Sequence, residues 1–179
     1  YLSTINRQIK DIENLVNEFS SFARMPAPIF KSMDLNVVVQ RAIDFYKMSS
    51  ENKISLRLTK NKKIIHGDEE QLYRVFINLI KNSEDSITEK KAKDKLFKGK
   101  INIEIDDNKE YINISLADNG VGIKDTSKIM TPYFTTKKQG TGLGLPIVNK
   151  IINEHEGELV VSNNNPGAKV LITLPKLIK

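Results

Sequence analysis

The sequence has no cysteine, which excludes disulfides and thiolate metal sites and suits a cytoplasmic compartment. It has no apolar run near the roughly 18 residues that a membrane-crossing helix requires. Its opening, Y-L-S-T-I-N-R-Q-I-K, lacks the uninterrupted apolar core of a signal peptide. The first residue is Tyr rather than Met, so a piece excised from a longer protein is expected, with any membrane segment upstream of it. Histidine is scarce, with only His66 and His155. Charge of one sign is also weak: 28 Lys and Arg oppose 22 Asp and Glu in 179 residues, a net charge of +6. That excess would suit a polyanion, but the lysines are spread widely, and no basic strand pair interleaved with aromatics points to nucleic acid. One lysine-rich stretch, E-K-K-A-K-D-K-L-F-K-G-K, reads as a solvated connection between a helix and a strand rather than a docking patch.

What is present is ordinary for a globular domain: 39% hydrophobic and 28% charged residues, in a length that allows one domain and an accessory element. Leu2, Ile5, Ile9, Ile12, Val16 and Phe19 follow a three-four alternation, the seam of a helix lying lengthwise against others. An amphipathic helix folded back on its own domain is the alternative. The prolines of A-R-M-P-A-P end the pattern. Residues 1–25 are therefore expected to be a helix, 26–34 a linker and 35–179 a separate domain. Within that domain Asp34 reads as the cap of one helix and Asp68 as the start of a longer one. K-I-S-L-R-L and the pair Ile64-Ile65 read as strands. I-N-I-E-I and Y-I-N-I-S-L read as a hairpin, and E-L-V-V-S and K-V-L-I-T-L as a final strand pair. A third helix is expected from about Leu143 to Glu154, ended by Gly157. The fold class expected is α+β, a two-layer α/β sandwich with helices on one face of a mostly antiparallel sheet and a helix at the N-terminus.

Four clusters carry chemistry. Asn78 and Asn82 share one face of the long helix by their i, i+4 spacing, and amide oxygens are hard ligands suited to Mg²⁺. Taken alone they could be two solvated polar residues. Asp118-Asn119-Gly120-Val121-Gly122-Ile123 follows a strand, so its carboxylate can accept the exocyclic amine of adenine while the glycines let the backbone approach a flat ring. Asp-Asn-Gly also marks ordinary turns. Thr131-Pro132-Tyr133-Phe134-Thr135-Thr136-Lys137 places an aromatic anchor beside hydroxyls and a cation. Gly140-Thr141-Gly142-Leu143-Gly144-Leu145 opens a helix, where exposed N–H groups and the helix dipole favour phosphate. Five of the nine glycines lie between residues 118 and 144, which predicts a mobile flap.

In their order, D-E-E-Q-L-Y-R-V-F-I-N-L-I-K-N-S, D-N-G-V-G-I, P-Y-F-T-T-K and G-T-G-L-G-L resemble the N, first glycine, F and second glycine boxes of histidine kinase ATP-binding domains. The resemblance covers about residues 34–175. F-S-S-F-A-R-M-P-A-P together with P-Y-F-T-T-K-K-Q-G-T-G-L-G-L looks most like nitrogen-regulation sensor kinases. The resemblance implies the Bergerat fold and a site for ATP and Mg²⁺. Asn82 matches the metal-binding asparagine and Asn78 the position one turn earlier. Asp118 matches the adenine-binding aspartate, with Gly120 and Gly122 its glycines, and Lys137 a basic residue that meets the phosphates. Asn78, Asn82 and Lys137 are the expected catalytic set. Gly140, Gly142 and Gly144 match the flexible end of the flap. Asp85, Ile123, Phe134, Thr136, Thr141, Leu143, Leu145 and Thr173 complete the expected nucleotide contacts.

The same resemblance implies phosphoryl transfer to a histidine, relay to an aspartate on a response regulator receiver domain, and homodimerisation through the helical region. It also implies a cytoplasmic portion of a membrane-bound sensor. Hydrolytic relatives of the gyrase and chaperone type carry a glutamate where this chain has Asn78, and an amide cannot take a proton from water. Neither His66 nor His155 lies in a heptad helix before Asn-Pro, so both are expected to be structural and the acceptor to lie outside this chain. A hydrolytic ATPase and a degenerate binding module are the competing expectations.

Overall fold

The computed structural model describes residues 4–6, 9–10, 12–13, 16, 20, 25–58, 61–135, 137 and 140–177. The first nine of these are helical, and Ile5, Ile9, Ile12 and Val16 of the heptad seam are all exposed. Leu2 and Phe19 lie outside the described residues.

The remaining chain folds as β1 (Lys31–Asp34), α1 (Leu35–Lys47), β2 (Lys53–Leu58), β3 (Ile64–Gly67) and α2 (Glu69–Lys93). It continues as β4 (Lys100–Asp107), β5 (Tyr111–Asp118), α3 (Gly144–Glu154), β6 (Glu158–Asn163) and β7 (Ala168–Pro175). Asp34 caps α1 through the Asn36 N–H and Asp68 caps α2 through the Gln71 N–H, each satisfying a donor that the first helical turn leaves unpaired. β2, β4, β5, β7 and β6 form one sheet in that order. β2 runs parallel to β4, and the other neighbours are antiparallel.

Period-two alternation turns Ile101, Ile103 and Ile105 of β4, and Ile112, Ile114 and Leu116 of β5, into one buried face. The three helices cover it with Ile43, Phe76, Ile80, Val148 and Ile152, all essentially inaccessible. Each such side chain contributes about 1.5–3 kcal/mol of burial. This is the two-layer sandwich expected from the sequence. β1 and β3 form a separate antiparallel pair. Residues 31–34 of the expected linker are thus a strand, and Pro26 and Ile29 are also held: the Pro26 carbonyl accepts from Gln71 Nε2 at 3.0 Å, and the Ile29 N–H donates to Asp68 Oδ2 at 2.7 Å.

Two local expectations differ from what forms. α3 does not end on Gly157 as a left-handed cap; Glu156 takes that conformation with φ 57°. Gly157 is needed for another reason: a β-carbon there would lie 2.6 Å from the Thr173 carbonyl oxygen of β7. The lysine-rich stretch is not merely a connection either. α2 continues to Lys93, and Lys90 is partly buried, 4.5 Å over the Phe97 ring.

Candidate functional site

The site is organised by two faces of α2. On one, Asn78, Asn82 and Asp85 recur at i, i+4 and i+7. Asn78 turns its Nδ2 back onto the Arg74 carbonyl at 2.9 Å. Asn82 Oδ1 and Asp85 Oδ2 converge on the Lys137 ammonium at 3.1 and 2.9 Å. A β-carbon placed at Gly144 would lie 3.6 Å from Asn78 Oδ1 and 3.8 Å from Asn82 Nδ2. The start of α3 therefore faces both amides. Leu143 at that helix's N-cap makes no side-chain cap, and no acid occupies the first turn, so its leading N–H groups suit an anion.

On the adjoining face of α2, Ser83, Ser86 and Lys90 recur at i, i+3 and i+7, and all three meet the turn after β5. Ser83 Oγ donates to Asp118 Oδ2 at 3.2 Å. Ser86 Oγ accepts the Val121 N–H at 3.0 Å. Lys90 Nζ donates to the carbonyls of Asn119 and Gly120 at 2.7 and 3.2 Å. Gly120 is required by this approach, because a β-carbon would sit 2.2 Å from Ser86 Oγ.

Asp118 is 6% exposed. Burial raises its pKa above the ordinary aspartate value, opposed by hydrogen bonds from Gly120, Ala168, Ser83 and Ser86. The Gly120 N–H reaches Asp118 Oδ1 at 2.8 Å and the Ala168 N–H at 3.4 Å. A buried carboxylate with ordered donors on both oxygens presents a directed acceptor.

The second glycine segment closes on the aromatic one. The Tyr133 N–H donates to the Gly142 carbonyl at 3.2 Å, and Gly142 has φ 71°. The Phe134 N–H bonds the Thr131 carbonyl, and Phe134 itself is half-buried. Thr141 Oγ1 accepts the Leu143 N–H at 3.4 Å. Leu143 is buried and Leu145 packs against the core, so both serve the hydrophobic layer. A β-carbon at Gly140 would lie 2.5 Å from Thr135 Oγ1. Gly122 is left-handed at φ 74°, and Ile123 next to it is held by Asn163. Thr136 lies outside the described residues.

One expected contact is not brought to the cluster. Thr173 pairs with Asn113 in mid-sheet and donates to its Oδ1 at 3.1 Å. Ile172 and Leu174 on either side are buried, so alternation places Thr173 on the sheet face away from the helices. β7 reaches Asp118 through Ala168 instead, five residues and about 16 Å earlier. The serine and lysine stripe was legible in principle as an i, i+3, i+7 set on a predicted helix; Asn163 and Ala168 carried no local signal.

His155 is 3% exposed. Its Nε2 accepts the Asp68 N–H at 2.9 Å and its Nδ1 lies 2.8 Å from the Ile151 carbonyl, which assigns the proton to Nδ1. Phe30 packs edge-on against it and stacks on His66. Neither imidazole meets the Asn82 and Asp118 cluster. Cavities of about 490 Å³ beside Met130 and Lys150 and about 290 Å³ beside Phe30 and Leu177 also lie apart from it.

Residues 67–178 match the family of histidine kinase-, DNA gyrase B-, and HSP90-like ATPases, and the chain belongs to that family. It is 34% identical over 174 residues to a sensor histidine kinase NtrY-like protein of Rickettsia bellii, covering 96% of this chain and 28% of the relative. It is 33% identical over 175 residues to nitrogen regulation protein NtrY of Azorhizobium caulinodans, covering 96% and 23%. The chain thus spans about a quarter of the length of these relatives. Among solved structures, the nucleotide-free catalytic domain of histidine kinase ThkA aligns with a TM-score of 0.72 and 27% identity, covering 83% of this chain and 96% of that one.

Proposed function

We propose that this chain binds Mg-ATP and delivers its γ-phosphoryl group to a histidine on a helical segment outside the chain. The observation that carries this reading is the juxtaposition on α2: the Asp118 acceptor on one face, and the Asn82, Lys137 and Gly144 group on the next. Asp118 would accept the adenine amine, with Gly120 and Gly122 admitting the ring. The N–H groups opening α3 and the Lys137 ammonium would hold phosphate oxygens. Asn82 fits Mg²⁺ because its Oδ1, together with Asp85 Oδ2, already converges on a cation, the Lys137 ammonium. The metal would supply neutralisation of phosphate charge. Among the described residues no cluster of three acids, histidines or cysteines forms a separate metal cage, and Mg²⁺ commonly takes few protein ligands beside phosphate and water.

Transfer would form a bond from an imidazole nitrogen to the γ-phosphorus, break its bond to the bridging oxygen and release ADP, with the imidazole proton passing to solvent. Asn78 offers no base for water, which supports transfer over hydrolysis. Relay to an aspartate of a response regulator, and dimerisation through the exposed seam of the N-terminal helix, follow as proposals from the likeness to sensor kinases. Among the described residues, no helix is long and apolar enough to cross a membrane.

The test is titration of Mg-ATP into the wild-type chain, Asp118→Ala and Thr173→Val. Loss of a charged hydrogen bond predicts at least a tenfold weaker affinity for Asp118→Ala, as about 1.5–3 kcal/mol is at stake. Thr173→Val should bind like wild type. Labelled γ-phosphate should then appear on an added helix pair carrying the acceptor histidine. Equal affinities for wild type and Asp118→Ala would refute the nucleotide site, and rapid phosphate release without labelling would favour an ATPase.

A further inference from the structure

The first glycine segment, residues 118–123, is held from two sides. α2 grips the segment through Ser83, Ser86 and Lys90. The opposite grip comes from the β6–β7 turn. At the near end, the Ala168 N–H reaches Asp118, and Gly167 packs so closely that a β-carbon would lie 2.0 Å from the Asp118 carbonyl oxygen. At the far end stands Asn163, the last residue of β6. Its Oδ1 accepts the Ile123 N–H at 2.7 Å and its Nδ2 donates to the Ile123 carbonyl at 2.9 Å.

This closed pair of hydrogen bonds spans 40 residues and satisfies both backbone groups of one residue. Its Oδ1 also lies on Gly122, where a β-carbon would be 2.9 Å away. Beyond Ile123 the next ties are local, as in the Ser127 N–H to Asp125 and the Thr131 N–H to the Lys128 carbonyl. Among the described residues, the amide of Asn163 is therefore the last long-range hydrogen-bonded anchor before the chain departs toward the aromatic segment.

Resting on the nucleotide reading above, we propose that Asn163 is a positioning residue for ATP. By clamping Ile123 it keeps Gly120 and Gly122 in the shape that admits the base. Aspartate at this position keeps the acceptor but sets an oxygen against the Ile123 carbonyl, so Asn163→Asp should fail as Asn163→Ala does.

Amide hydrogen exchange and Mg-ATP titration on the whole chain test this. In Asn163→Ala, exchange at Ile123 should quicken about tenfold, and the Kd for Mg-ATP should rise about tenfold, the scale of losing two ordinary hydrogen bonds. Exchange at Ile114, inside β5, should stay unchanged; a merely structural role would accelerate both positions. Unchanged exchange at Ile123 overturns the anchor. Faster exchange with an unchanged Kd, in a wild type that binds well, overturns the positioning role alone. If the wild-type chain does not bind Mg-ATP, the nucleotide reading fails and this inference with it, and the exchange result still reports the clamp.

Discussion

Lys137→Met separates what this lysine does for the fold from what it does for the ligand. Its ammonium bridges Asp85 at 2.9 Å and Asn82 at 3.1 Å. The side chains of Lys137 and Asp85 are 34% and 42% exposed, so solvent screening leaves the pair about 0–1 kcal/mol. Unfolding free energy should therefore fall by about 1 kcal/mol at most, or roughly 2–4 °C in Tm for a chain of this size. A charged hydrogen bond to phosphate is worth about 1.5–3 kcal/mol. Subtracting the contact given up on binding leaves about 0.5–3 kcal/mol, centred near a twentyfold rise in Kd. Calorimetric titration with Mg-ATP and urea unfolding of the free chain read the two quantities separately. The affinity gap should shrink as salt is raised, since both interactions are partly exposed. A stability loss of about 3 kcal/mol or more would show a packing role that this exposure does not support. An unchanged Kd, with Asp118→Ala still defective, would remove Lys137 from the phosphate site.

Two further perturbations test the frame. His155 must be neutral to accept the Asp68 N–H; burial lowers its pKa, opposed by its bond to Ile151 and by Asp68 and Glu154. The stability held in that neutral ring is fully present above the unfolded value of about 6.5 and is lost as pH falls below it toward the lowered folded pKa. Unfolding free energy should decline from pH 7 to 5 in wild type and vary less in His155→Gln; parallel profiles would refute the assignment. Gly120→Ala drives a methyl group to 2.7 Å from the Ser86 carbonyl carbon, a backbone atom that cannot swing aside. It should cost about 1–3 kcal/mol in urea unfolding and weaken Mg-ATP binding. Ser86→Gly in the same chain should restore only part of either loss, and full recovery would mean that the hydroxyl alone was in the way.

Period and caps were legible because they are local. The β4–β5 hairpin follows from alternation over Ile101–Leu116, and the starts of α1 and α2 follow from aspartates that satisfy their own helices' donors. The end of α3 was legible only in part, for a physical reason: Gly157 donates its N–H to the Ile152 carbonyl at 2.9 Å and so helps close the helix, but the left-handed residue is Glu156, and it is the passing strand β7 that demands a glycine. The same limit explains Thr173. Its place in an alternating strand was readable, but which alternate set faces the helices depends on how the sheet packs.

By itself, the sequence determined the two-layer α/β sandwich, the Asn78–Asn82 face and the two glycine segments, because backbone periodicity and turn chemistry are set within a few residues. Only the tertiary structure decided that Ser83, Ser86 and Lys90 meet the turn after β5, that Ala168 supplies a donor to Asp118, and that Asn163 clamps Ile123. Those contacts join residues 29 to 50 positions apart, and each exists only because sheet order and helix packing bring unrelated stretches within hydrogen-bonding reach.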